Sequence, residues 1–356
     1  MSRLFESTRL GKLELRNRVV MAPMTRSRAG ASDEPTDLVV DYYRQRASAG
    51  MIITEGTYPS FDGKGYCRTP GLVTPVQVEG WRRVCEAVHA EGGTIVAQLM
   101  HCGRVCHADN KPAAAETVAP SAITATGEMY TDTAGMQPFS APRALRSDEI
   151  PGVIEEYRIA TQNAFDAGFD GVELHGTSGY LPAQFLSTGT NQRDDAYGGS
   201  LEKRVRFPVE VLEAMTGVAG ADRVGLRICP GNPFNDLSDD DPEETFTAFL
   251  GAVDPMGLAY LHVIRLHDVA LDNIALARKH FEGPLILNDS YKRDEAKSAM
   301  DEGIGEAVAF ARAYIGNPDL VERFRQGAPL ARFDPKKLYT AGAEGYSDFP
   351  ALPEGG

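Results

Sequence analysis
Short apolar runs of four or five residues recur along this 356-residue chain, with helix-patterned stretches between them. That order is what a parallel sheet covered by helices requires. Eight runs occur, at 19–22, 51–54, 94–98, 171–174, 224–228, 260–263, 285–288 and 307–310. Amphipathic stretches at 78–91, 151–167, 201–218, 242–252, 271–280 and 293–302 separate them, several ending at a glycine, as helix caps prefer. No Gly-rich dinucleotide fingerprint follows the first run, so eight β–α repeats predict a closed (β/α)8 barrel rather than a doubly wound sheet. The length suits one such barrel spanning 1–356 as a single domain.

Two segments exceed what a barrel needs. The Gly/Pro/Thr-rich stretch 103–144 is too long for a simple connection and is expected to be a lid or inserted hairpin over the barrel mouth. Residues 330–356 read as an irregular tail folding back over the same surface.

Charge narrows the partners. A net charge of −14 repels polyphosphate backbones and anionic lipid heads, so a small-molecule substrate is expected rather than nucleic acid or a membrane. No run approaches the roughly 18 apolar residues of a membrane span, and the N-terminus lacks a signal-peptide core, which predicts a cytoplasmic protein, as monomer or homodimer. Five cysteines without framework spacing suit reduced thiols. Cys102-x3-Cys106-His107 has no second ligand pair, and no metal is expected.

In this architecture the reacting groups stand where the strands end. The runs lead into Ala22-Pro23-Met24-Thr25, Thr54-Glu55-Gly56, Gln98-Leu99-Met100-His101, Glu173-Leu174-His175, Asn288-Asp289-Ser290-Tyr291 and Ala311-Arg312, and the fifth run carries Arg227. A hydroxyl, a side-chain amide and a guanidinium from different strands suit a planar heterocycle that becomes anionic when reduced, as an isoalloxazine does. Arg312 supplies a cation where barrels usually bind phosphate.

Several blocks taken together are specific. They are 17–26 (Asn17-Arg18-Val19 through Thr25-Arg26), 98–104 (Gln98 through Arg104), 168–175 (Gly168-Phe169-Asp170 through His175), Asn191-Gln192-Arg193 with Tyr197-Gly198-Gly199-Ser200, and Asn317-Pro318-Asp319-Leu320. On these the chain resembles the old yellow enzyme family of FMN-dependent ene-reductases over nearly its whole length. The resemblance implies FMN as cofactor and NAD(P)H as reductant, with the nicotinamide and the substrate using the same flavin face in turn, so no separate dinucleotide domain is required. It implies that Pro23, Met24, Thr25, Gly56, Gln98 and Arg227 hold the flavin ring. Thr25 would tune the potential near C4, and Arg227 would stabilise charge at N1/C2. Asn288, Asp289, Ser290, Ala311 and Arg312 would lie at the phosphate. His175 and Ser178 would hold a substrate oxygen, Tyr180 would give a proton to the α-carbon, and Met100 and Tyr346 would line the substrate pocket. Blander roles stay open: a helix cap for Thr25, an ion pair for Arg227, ordinary packing for Tyr180 and Tyr346.

The chain departs from the family at four places. Asp289-Ser290 replace the usual glycines of the phosphate loop, setting a carboxylate near the phosphate and restricting the backbone. Ser178 stands where Asn or His is usual, Met100 where Trp is common, and Ala311 where Gly is usual. The connection 264–271 also looks short. The leading expectation is hydride transfer from NAD(P)H through flavin to the β-carbon of an activated alkene. Two alternatives remain: dehydrogenation, isomerisation or cyclisation of a specialised metabolite on the same fold, and a non-catalytic barrel with a degenerate phosphate site.

Overall fold
The computed structural model describes residues 2–353; of the expected 330–356 tail, 354–356 lie outside the described residues. Its strands are β1 (Thr8–Leu10), β2 (Leu13–Leu15), β3 (Val19–Met21), β4 (Met51–Ile53), β5 (Ile95–Leu99), β6 (Val118–Ala119), β7 (Glu128–Thr131), β8 (Gly135–Pro138), β9 (Arg143–Ala144), β10 (Gly171–His175), β11 (Val224–Ile228), β12 (Tyr260–Ile264), β13 (Leu285–Asn288) and β14 (Ala307–Phe310). The helices are α1 (Asp37–Arg44), α2 (Pro75–Ala90), α3 (Ile150–Asp166), α4 (Leu181–Leu186), α5 (Leu201–Ala219), α6 (Pro242–Val253), α7 (Asn273–His280), α8 (Arg293–Asp301), α9 (Arg312–Gly316) and α10 (Leu320–Gln326). Strands β3, β4, β5 and β10 to β14 close into one parallel barrel in chain order. The eight apolar runs are these eight strands, with ends shifted by a residue at most. Among the described residues, no helix is long and apolar enough to cross a membrane.

Period-two alternation divides each barrel strand between two surroundings. Val19, Ile52, Ala97, Leu174, Leu226 and Leu287 belong to the cluster shared with the helices outside. Their neighbours Val20, Met51, Val96, Tyr260 and Ile286 point inward and cluster with Leu10, Leu13 and Leu15, the hairpin β1–β2 that plugs the barrel floor. Gly225 makes room there: a Cβ on it would sit 2.2 Å from the Tyr260 ring. Truncating one of these fully buried aliphatic side chains to Ala would cost roughly 2–5 kcal/mol.

Local chemistry sets the helix starts. Thr74 caps α2 by accepting from the Gln77 amide while the Gln77 side chain returns a bond to the Thr74 amide, with Pro75 as first helical residue. The stretch 103–144 contains the antiparallel hairpin β7–β8. Its Met129, together with Ala125 and Phe139, packs on Met100, Cys102, Val105 and Tyr180, with Tyr66 against them. The tail is buttoned to the loop after β3: Arg28 donates to the carbonyls of Lys337, Leu338, Gly342 and Glu344, and Arg26 to those of Leu338 and Gly345.

Candidate active site
Continuing the inward alternation upward from the apolar floor brings polar side chains to the barrel mouth. Gln98 on β5, Glu173 and His175 on β10, Arg227 on β11, His262 on β12 and Asn288 on β13 share the inward phase of their strands, and register pairs Gln98 with Glu173, His175 with Arg227, and Arg227 with His262. Gln98 Nε2 donates to Glu173 Oε1 at 2.7 Å, and Arg227 Nη2 donates to Asn288 Oδ1 at 2.7 Å. Asn288 in turn donates to the Ala309 carbonyl of β14. Arg227 Nε and His175 Nδ1 are buried without a protein partner. Polar atoms seldom stay unpaired inside a protein unless something else meets them.

His175 is neutral: burial drives its pKa well below the ordinary imidazole value, and the Arg227 cation and His262 add to the shift. Its ring meets that of Tyr180 edge to face, with centroids 4.8 Å apart. Tyr180 opens α4 and is 6% exposed; its phenol oxygen is 3.0 Å from that of Tyr66. Burial pushes the Tyr180 phenol well above its usual range, with further upward pushes from Tyr66, Cys102 and Tyr339. The turn before it is braced. Gln184 donates to the carbonyls of Gly179 and Cys102, the His101 carbonyl accepts from the Leu181 amide, and Asn235 donates to the Ser178 carbonyl. Ser178 has φ of 60°, in the left-handed region that Asn tolerates better than Ser.

Pro23, Met24 and Thr25 leave β3 partly exposed. No helix begins there, so Thr25 caps nothing. The next residue ties this loop to the second strand end: the Arg26 amide donates to Glu55 Oε2 at 3.3 Å, and burial lifts the Glu55 carboxyl to about 7. Gly56 follows directly, and a Cβ on it would lie 2.4 Å from the Met100 sulfur. At the other side of the mouth Ala311 precedes α9, and Arg312 is exposed on its first turn. Asp289 and Ser290 both take positive φ, 83° and 57°. The Asp289 charge acts on Arg227, Cys229 and Arg265, and its carbonyl accepts from Arg265 Nε.

Tyr346 does not line this mouth. It is fully buried, stacked on Tyr42 with centroids 4.0 Å apart, between Arg26 and Arg28. Core packing explains it, because the cation-lined slot that fixes the tail fills with its ring. The tail tyrosine that approaches Tyr66 and Tyr180 is the exposed Tyr339, whose carbonyl accepts from Arg68. Tyr66 and His262 were also missed from sequence, and Glu173, named at its strand end, was given no role. Alternation back from His175 turns Glu173 inward; Tyr66, in an irregular loop, has no such signal.

An unpaired guanidinium N–H, a side-chain amide and a neutral imidazole around one mouth match the hydrogen-bonding edge of a flavin. The short helix after the eighth strand is where this architecture often holds phosphate. The donor set therefore fits FMN, with Asp289 as a local opposing charge.

The comparisons agree. Residues 3–331 match the profile of the NADH:flavin oxidoreductase / NADH oxidase family. The chain is 41% identical over 349 residues to the "Probable flavin mononucleotide-dependent alkene reductase" of Leishmania infantum, covering 96% of each. It is 40% identical over 358 residues to "12-oxophytodienoate reductase 1" of Oryza sativa subsp. japonica, covering 97% of this chain and 92% of that one. Among solved structures, morphinone reductase in complex with tetrahydroNAD superposes with a TM-score of 0.94 at 47% identity over 99% of this chain and 98% of that one. The old yellow enzyme homologue from Zymomonas mobilis gives 0.94 at 38% identity, over 98% and 99%. The chain thus belongs to the NADH:flavin oxidoreductase / NADH oxidase family, the old yellow enzyme family of FMN-dependent ene-reductases.

Proposed function
We propose that this ene-reductase acts on electron-poor alkenes such as enones, binding them between His175 and Tyr180. Gln98 and Arg227 would hold the pyrimidine edge of FMN, Pro23, Met24, Thr25 and Gly56 would border its ring, and Asn288, Asp289, Ser290, Ala311 and Arg312 would surround its phosphate. Hydride for the alkene β-carbon is the chemistry that FMN would supply once held there, with NADH or NADPH as its source. Everything else falls to the protein. Neutral His175 keeps one N–H to donate to the substrate carbonyl or nitro oxygen, which gathers negative charge as the β-carbon is reduced. Ser178, with a shorter side chain than Asn, reaches that oxygen less directly and leaves His175 the principal donor. The Tyr180 phenol gives its proton to the α-carbon, and Tyr66 at 3.0 Å donates to the phenolate left behind. Met100 and the hairpin residues packed on Tyr180 exclude water from the reacting carbons.

The observation that carries this reading is the pairing of a buried neutral imidazole with a buried protonated phenol, rings 4.8 Å apart, at the mouth where Gln98 and Arg227 emerge. Anaerobic mixing of the NADPH-reduced protein with 2-cyclohexen-1-one should return the oxidised flavin spectrum with formation of cyclohexanone. Flavin that NADPH reduces but no enone or nitroalkene reoxidises would overturn it and favour dehydrogenation or isomerisation on this fold.

A further inference from the structure
Glu173 is a carboxylate inside the upper barrel that the proposed reaction leaves unused. Its side chain is wholly inaccessible to solvent. Oε1 accepts from Gln98 Nε2 at 2.7 Å, and Oε2 lies 2.9 Å from His262 Nδ1. Burial holds His262 below its ordinary pKa, so the imidazole is neutral and donates Nδ1–H without bringing a cation. Among charged neighbours, Glu173 acts most strongly on Arg227, which stands on the adjacent strand β11 in register with His175 and His262.

Taking a carboxylate out of water is costly, and this one is held by the neutral donors Gln98 and His262 rather than by a salt-bridged cation. It has two consequences for the mouth. One hydrogen of the Gln98 amide is committed to Glu173, so the Gln98 carbonyl oxygen and its remaining N–H are turned to whatever lies above. The negative charge also offsets the field of Arg227 in a medium where charges are poorly screened.

We propose that Glu173 is a positioning residue for the flavin: it orients the Gln98 amide and, by opposing Arg227, holds the reduction potential of bound FMN down. This rests on the reading that Gln98 and Arg227 meet the flavin pyrimidine. Lowering the potential keeps the cofactor a strong hydride donor to alkenes, at the expense of its acceptance of hydride from nicotinamide.

The test is the midpoint potential of the FMN-loaded protein, measured against a reference dye, with the FMN dissociation constant measured in parallel. Glu173→Gln keeps shape and an acceptor for Gln98 but removes the charge. It should favour reduced over oxidised FMN by about tenfold, a shift of about 30 mV to more positive potential for a two-electron couple. Arg227→Met should move the potential the other way or weaken FMN binding. If Arg227→Met changes neither quantity, the flavin reading fails, and this inference with it. If Arg227→Met acts and Glu173→Gln keeps the wild-type potential, Glu173 is structural only and the inference alone is overturned. Should Glu173→Gln fail to fold, Glu173→Asp retains the charge but withdraws it by one methylene; a smaller positive shift supports the inference, and an unchanged potential overturns it.

Discussion

The phenol oxygens of Tyr66 and Tyr180 lie 3.0 Å apart, joining a side chain that keeps some solvent exposure to one that is 6% exposed. Either phenol can donate, so a proton lost from Tyr180 can be answered by Tyr66. Tyr180→Phe should slow reoxidation of the reduced enzyme by an enone by roughly 10²–10⁴-fold, the usual worth of a general acid, while flavin reduction by NADPH is unchanged. Tyr66→Phe removes only a hydrogen bond to the developing phenolate and should cost about 10–100-fold in the same half-reaction. Stopped-flow measurement of both half-reactions decides; equal losses in the two would remove Tyr180 from the donor role.

His175 stays neutral because burial, the Arg227 cation and His262 all oppose its protonation. Its donor function should then be insensitive to pH near neutrality, and enone reduction should show no inflection near the ordinary imidazole pKa of about 6.5. His175→Ala should lower kcat/KM for the enone by roughly 10²–10³-fold. A rate that falls as pH rises through 6.5 in the wild type, and not in His175→Ala, would mean that the imidazolium is the working form.

Asp289 has φ of 83° and a carboxylate whose charge reaches Arg227. A non-glycine residue in left-handed backbone costs about 1–2 kcal/mol. A negative charge about 5 Å from the FMN phosphate would oppose binding by on the order of 3 kcal/mol at an effective dielectric near 20. Asp289→Gly should therefore raise both thermal stability and FMN affinity, the latter by tenfold or more, measured by reconstitution of the stripped protein. Unchanged affinity would show that the carboxylate does not face the phosphate.

Buried titratable groups shape acid stability in two opposed ways. His101, whose pKa burial lowers to about 3, and His175 and His262, also lowered, stay neutral in the fold and take protons on unfolding. Their contribution is present above about 6.5 and is lost as pH falls. Glu55 and Glu156, both raised to about 7 by burial, hold protons that the unfolded chain releases, so they favour the fold as pH drops from about 7 toward 4.5. Between about 6.5 and 4.5 the two sets largely offset. Below 4.5 the histidine loss is joined by that of carboxylates which arginines hold low, Asp195, Glu149 and Glu295 among them, so the melting temperature should fall gently to pH 4.5 and steeply beneath it. A scan whose steepest loss lies between pH 6.5 and 5 would contradict this balance.

The barrel was legible because each strand is a short, mainly apolar run and each helix is patterned, properties that residues carry locally. The site was legible to the extent that it sits on strand ends: Gln98, His175, Arg227 and Asn288 follow from strand placement and a period of two. Glu173 obeys the same rule and was named at its strand end, but its partners Gln98 and His262 come together only when the barrel closes. Tyr66 and Tyr339 come from irregular segments, where no periodicity tells which way a side chain turns. Tyr346 shows the converse: its motif looked like a pocket wall, but Arg26, Arg28 and Arg46 form a cationic slot that draws the ring into the core. The amino-acid sequence by itself determined the eight β–α units, the acidic surface and the residue types offered at the strand ends. Only the tertiary structure decided which of them share one volume, because closing the barrel joins strands far apart in the chain, and burial there sets the charge of His175 and the partners of Gln98 and Tyr180.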